Sequence, residues 1–209
     1  MYRWAFEILI VFASLIGTYA ITSVSVIFQL LILCFMFPLG VGISASSMVG
    51  NALGAGQVTL AKDISRLTLS FMLSMSVVIC PTIIYFGPTF MGLFSTDPTV
   101  IETSSSLIYL LAYSTMMDGL QGVGSGILRG AGKQHVGARI NLVAYYLIGL
   151  PCAWVLCFHC SLGVHGLMYG ICIGSSLQAW VVLYMVLFKH EYVFSRLKNL
   201  EEYCPESDL

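Results

Sequence analysis

Six stretches of the chain are long and apolar on every side: residues 3–20, 23–48, 67–92, 103–127, 138–158 and 164–188, roughly bounded. A helix needs about 20 apolar residues to cross the hydrocarbon core of a bilayer. Within that core only helices and closed barrels satisfy every backbone polar group. Strands of a membrane barrel would alternate apolar and polar with period two, and these segments do not, so they read as helices. The expected fold class is therefore all-α: a polytopic membrane protein built as a six-transmembrane-helix bundle. Composition agrees, with 58% hydrophobic and 9% charged residues, where soluble domains carry about 25% charged. The expected division is a transmembrane lobe over residues 1–188 and a polar, charged tail over 189–209.

Short joints separate the segments: "TYAITS", "GNALGAGQVTLAKDISR", "FSTDPTVIE", "LRGAGKQHVGAR" and "HCSLGVH". All nine basic residues are Arg3, Lys62, Arg66, Arg129, Lys133, Arg139, Lys189, Arg196 and Lys198. If the chain crosses six times, every one falls on the side of the N-terminus, and the three opposite joints carry none. Basic residues accumulate on the cytoplasmic side, so both termini are expected there. The opening stretch holds Arg3 and Glu7 and lacks a small-residue cleavage site, so no cleaved signal peptide is expected. The lipid bilayer is the first partner. A net charge of −1 with no basic patch gives no sign of a nucleic-acid partner.

Several residues ask the helices to bend or pack closely. Pro38 sits in the second segment with Gly40 and Gly42 behind it, Pro81 and Pro88 in the third, Pro151 in the fifth. Proline removes a backbone bond and kinks a helix. Gly122, Gly126 and Gly130 recur every four residues, a ridge that lets two helices approach. Neither "GVGSG" nor "RGAGKQ" fits a nucleotide loop: no strand precedes them, and Ile127 stands where the first glycine of a P-loop belongs. A hairpin between helices accounts for both. No GxSxG or HExxH occurs, so the chain does not read as an enzyme. Cys157 and Cys160 enclose His159, with His165 nearby, but a metal needs more ligands. Inert thiols are the favoured reading ahead of a local disulfide, and no metal or cofactor is expected.

Of ten acidic residues, only Glu7 and Asp118 fall within the six apolar segments expected to be membrane helices. A charged Asp at a helix centre costs about 2.5–3.5 kcal/mol on the insertion scale, and nothing basic lies within ten residues of Asp118. Removal from water disfavours the charged form of a carboxyl, so a group there is suited to taking up and releasing a proton. Ser114 and Gln121 share its helix face, four before and three after. Asn141 and Tyr145, four apart, share a face of the next helix. Gln29 and Gln178 add amides. Trp4, Phe6 and Tyr145 could offer ring faces to an organic cation. Packing and interhelical hydrogen bonds are the ordinary roles of such residues, so the substrate-cavity set of Trp4, Gln29, Ser114, Gln121, Asn141 and Tyr145 is an expectation only.

These residues together resemble the eukaryotic branch of the multidrug and toxin extrusion (MATE) transporters. The resemblance runs from "WAFEIL" through "FPLGVGISASSMVGNALGAGQ" to "MMDGLQGVGSGILRGAGKQHVGARINLVAYYLIGLP" and on to the last helix. It implies twelve helices in two six-helix lobes, of which this chain resembles the second. It also implies export of organic cations and xenobiotics by antiport with H⁺ or, in some members, Na⁺. Glu7 in "WAFE" and Asp118 in "MDGLQG" match the acidic pair that handles protons in that lobe. The plasma membrane is the expected location, a vacuolar or vesicular membrane the alternative. Asp118 lies eleven residues from Arg129, about 16 Å along a helix, whereas six residues precede Glu7. The expectation is a fragment or truncated isoform whose missing partner is a first lobe. The alternative function is a non-transporting subunit packed against a full-length relative, with an unrelated channel or carrier behind it.

Overall fold

The computed structural model describes residues 2–95, 97–189 and 193–194. Its elements are α1 (Tyr2–Ile16), α2 (Thr18–Gly54), α3 (Val58–Phe94), α4 (Pro98–Ser106) and α5 (Ile108–Gly130). Two more follow, α6 (Gln134–His159) and α7 (Gly163–Phe188). No strand occurs among the described residues. By length and composition α2, α3, α6 and α7 can cross a membrane. The 15 residues of α1 form a shorter apolar helix, and the 23 of α5 are diluted by Asp118, Gln121 and several hydroxyls. The protein is a polytopic helical membrane protein.

α5 is the hub, packed on α2, α3 and α7, while α6 lies along α7. Small residues make this possible. A Cβ on Gly42 would stand 2.8 Å from the Gly122 carbonyl oxygen, and one on Gly126 would run into the Gly42 carbonyl. The ridge of Gly122, Gly126 and Gly130 thus meets the backbone of Gly42 and Ser46 on α2. A second ridge, Gly166, Gly170 and Gly174, seats α7 on α6: a Cβ on Gly166 would lie 2.6 Å from the Cys157 nitrogen. That ridge has the same four-residue spacing and went unread in the sequence.

Three expectations need correction. The 50–66 joint is mostly helical, with α2 running to Gly54 and α3 starting at Val58. At 37 residues each, these helices would be about 55 Å long, well beyond a hydrocarbon core of about 30 Å. Nor do Pro81 and Pro88 interrupt α3 in the way expected of the third segment, while Pro38 lies within α2 as its sequence position implied. In α6, Pro151 lies between two wider, π-helical stretches, Leu142–Gly149 and Val155–His159. Such local widening is one way a membrane helix re-satisfies the groups that proline frees. The tail is also less detached than expected, because Val193 and Phe194 are buried in one cluster with Val182 and Val186. The other residues of 190–209 lie outside the described residues, as does Thr96.

The glycine-rich joints prove to be one device used twice. "GAGQ" ends α2 and "GAGK" ends α5. In each, the second glycine takes a positive φ, 74° at Gly56 and 72° at Gly132. The next amide then reaches back five residues: Gln57 N–H to Ala52 O at 2.9 Å, Lys133 N–H to Leu128 O at 2.8 Å. This is the glycine-terminated helix end known as the Schellman motif. At the opposite end of the bundle Asp97 caps α4, its Oδ1 accepting from Thr99 N–H at 2.9 Å, with Pro98 opening the helix.

Candidate functional site

Asp118 sits midway along α5 with 1% of its surface exposed. The Tyr145 hydroxyl of α6 donates to its Oδ1 at 3.1 Å. Its Oδ2 is buried with no hydrogen-bond partner. One turn before it, Ser114 is hydrogen-bonded to the Cys172 thiol of α7 at 3.1 Å. Cys172 escaped the sequence reading because a thiol in an apolar helix looks like any small hydrophobe.

One turn beyond Asp118 the interior turns polar. Gln121 donates to the Ser125 hydroxyl at 3.1 Å, and the Asn141 amide reaches Gln178 Oε1 at 3.4 Å. These four groups, with Arg129 and Gln134, line a pocket of about 350 Å³ between α5, α6 and α7. Ser125, Arg129 and Gln134 were not among the expected site residues, although Ser125 and Arg129 continue the Gln121 stripe at intervals of four.

Glu7 belongs to a different place. It lies exposed on α1 and, with Phe6, Ser25, Gln29 and Phe35, lines a cavity of about 230 Å³ between α1 and α2. No hydrogen bond joins it to Asp118. Phe6 connects the two regions: its ring packs edge-on against Phe28 at 4.8 Å and lies 6.3 Å from the ring of Tyr145. Trp4 is 70% exposed, on neither wall. The structure therefore places Ser114, Asp118, Gln121, Asn141 and Tyr145 in separate hydrogen-bonded pairs on α5, α6 and α7, puts Glu7 and Gln29 on a different cavity between α1 and α2, and leaves Trp4 apart. The six described cysteines are free thiols, Cys157 buried and Cys160 exposed. No cluster of three metal-binding side chains occurs among the described residues.

This architecture has known counterparts. The MatE family model matches residues 1–155. The chain belongs to the MATE family. It is 35% identical over 175 residues to multidrug and toxin extrusion protein 1 of Mus musculus, covering 84% of this chain and 31% of that protein. Identity to Protein DETOXIFICATION 17 of Arabidopsis thaliana is 33% over 187 residues, covering 88% and 39%. The crystal structure of the eukaryotic MATE transporter AtDTX14 superposes with a TM-score of 0.89 at 29% identity, covering 95% of this chain and 45% of that one. This MATE chain thus spans 31% to 45% of the length of these relatives.

Proposed function

We propose that this chain is the second six-helix lobe of a MATE-type antiporter exporting organic cations and other xenobiotics in exchange for H⁺. The names of its relatives, among them a multidrug and toxin extrusion protein, support the cargo class. The observation that carries the coupling is Asp118. It is buried in the bundle, held through one oxygen by Tyr145, with the other oxygen free of any partner. A carboxyl so placed is costly when charged and uncompensated, and it has an open acceptor for the proton that removes the charge. A proton on Asp118 and a bound organic cation are then alternative ways of balancing one negative charge, so taking up the first goes with releasing the second. Glu7, on the open α1–α2 cavity with Gln29 and the Phe6 ring beside it, is the group nearest to where cargo would pass between lobes. The first lobe, in a longer chain or a full-length relative, supplies the opposite wall, and Na⁺ is the other coupling ion the family resemblance allows. The end of the bundle carrying Arg66, Arg129, Lys133 and Arg139 is cytoplasmic, and the plasma membrane is the proposed location.

The test places Asp118→Asn in a chain carrying both lobes, reconstituted in vesicles with an imposed pH gradient and a fluorescent organic cation. The amide fills the same space without exchanging a proton. Gradient-driven export should fall to the level of protein-free vesicles, with the protein still inserted in normal amount. Undiminished gradient-dependent export would make Asp118 a structural residue and end the coupling proposal.

A further inference from the structure

The pocket between α5, α6 and α7 ends inward at Gln121 and Asn141, one helical turn short of Asp118 and Tyr145. On α5, Asp118, Gln121, Ser125 and Arg129 follow one another at steps of three, four and four, so they form a single stripe. On the antiparallel α6, Tyr145, Asn141, Ala138 and Gln134 form the facing stripe. The two stripes pair like rungs, from the Asp118–Tyr145 hydrogen bond to Arg129 and Gln134 at the basic end, about 16 Å away along α5. Six pocket residues belong to these stripes, and Gly137 and Gln178 complete the lining.

We propose that this pocket is a water-filled route by which protons reach Asp118 from the basic end of the bundle, with Asn141 and Gln178 positioning its innermost water. The inference rests on the protonation role given to Asp118 above. Three observations carry it. First, the lining is rich in hydrogen-bonding groups and has room for several waters; a polar and roomy space is what buried water requires. Second, Asn141 Oδ1 is buried without a partner, an acceptor left at the inner end. Third, the amides at that end already hold each other, Asn141 donating to Gln178 at 3.4 Å, which fixes their orientation. Amides and hydroxyls of this kind do not store protons. The proton therefore moves along the water, each hop leaving the total charge unchanged, and ends on the Asp118 carboxylate.

The titratable groups near Asp118 are few. Tyr145 faces it from α6 and Cys172 from α7, hydrogen-bonded through Ser114. From α3, Cys80 bonds to the Ala112 carbonyl farther along α5. From α1 the nearest approach is Phe6, beside the Tyr145 ring. None of these offers a carboxylate between Asp118 and the basic end. Another cavity bordering α5, about 540 Å³ between α3, α5 and α7, is lined mainly by apolar residues such as Leu73, Leu120 and Leu183. That composition is unsuited to carrying water.

The test follows the carboxyl itself. The 209-residue chain is placed in lipid vesicles, and the infrared carbonyl band that disappears in Asp118→Asn is tracked after a pH jump. Ser125→Cys is folded and inserted first, then modified with a bulky uncharged methanethiosulfonate reagent, so that the pocket is plugged without disturbing assembly. Protonation should slow at least about tenfold, with the final amplitude unchanged, while the unsubstituted chain treated with the same reagent keeps its rate. Ala138→Phe, which fills the same space from α6, should act likewise, and Leu73→Phe in the apolar cavity should not. Equal rates with the pocket plugged from either side would overturn the route and leave the role of Asp118 standing. A carboxyl band that never responds to pH in the unsubstituted chain would overturn both.

Discussion

Glu7 and Asp118 are carboxylates on helices of one bundle, yet α2 separates two different environments. Towards α5, the α2 backbone is in contact: Gly42 and Ser46 meet the Gly122, Gly126 and Gly130 ridge. Behind that seam Asp118 is enclosed by groups this chain supplies itself. Towards the other side, a Cβ on Gly40 would meet nothing within 4 Å, and Ile32, Leu33, Met36 and Phe37 are exposed. Here α1 and α2 enclose only an open cavity around Glu7 and Gln29. The comparison teaches that the two acids are not one site within this chain. Asp118 is walled in by this chain's own helices, with one oxygen still unpartnered, whereas Glu7 faces a space that the bilayer or another body must fill.

The largest expected effect sets the two faces of α2 against each other. Gly126→Leu should destabilise the bundle by about 3 kcal/mol or more, because overpacking usually costs about 1–3 kcal/mol and here the obstacle is backbone that cannot rotate away. Gly40→Leu should be neutral or stabilising by up to about 1 kcal/mol, since the helix loses a flexible glycine and gains no clash. Reversible unfolding in detergent measures both. Similar losses from the two substitutions would mean that α2 has no open face.

Much of this was legible beforehand, and the failures are instructive. Long apolar stretches announce membrane helices because lipid offers the backbone no alternative partner, and the Gly122–Gly126–Gly130 spacing announced a contact without saying with what. The 50–66 joint was misjudged because Lys62, Asp63 and Arg66 break hydropathy without breaking a helix. Pro81 and Pro88 were overrated because a proline costs one bond in a 37-residue helix. The polar stripe of α5 was visible at Gln121, but its continuation through Ser125 to Arg129 makes sense only once α6 is known to run antiparallel beside it. Conversely, "MDGLQG" pointed at Asp118 directly, since a carboxylate in an apolar helix is expensive and so draws the eye.

A middle-sized effect should come from the enclosed side. Tyr145→Phe keeps the ring that lies 6.3 Å from Phe6 and removes only the hydroxyl that donates to Asp118 at 3.1 Å. With its other oxygen already unpartnered, the carboxyl would have no donor left, a loss of about 1–3 kcal/mol for a buried acceptor. The penalty should shrink when Asp118→Asn is made in the same chain, because the charge that most needs the hydroxyl is gone. A double-mutant cycle reads this coupling, and additive losses would show that Tyr145 acts on the fold without acting through Asp118.

The smallest effect should lie on the open side. Glu7→Gln changes a side chain that has no hydrogen bond among the described residues and lies exposed on α1. Its unfolding midpoint in the 209-residue chain should match that of the unsubstituted protein. The same substitution in a chain carrying both lobes should reduce proton-driven export, less severely than Asp118→Asn, because the facing lobe then completes the cavity that Glu7 and Gln29 begin. The contrast between the two chains is the point of the experiment. A shift in stability in the 209-residue chain would mean that Glu7 is already engaged by α1 and α2, and the division between an enclosed and an open carboxylate would collapse. Unchanged stability together with unchanged export would leave the division intact and remove Glu7 from the coupling pair.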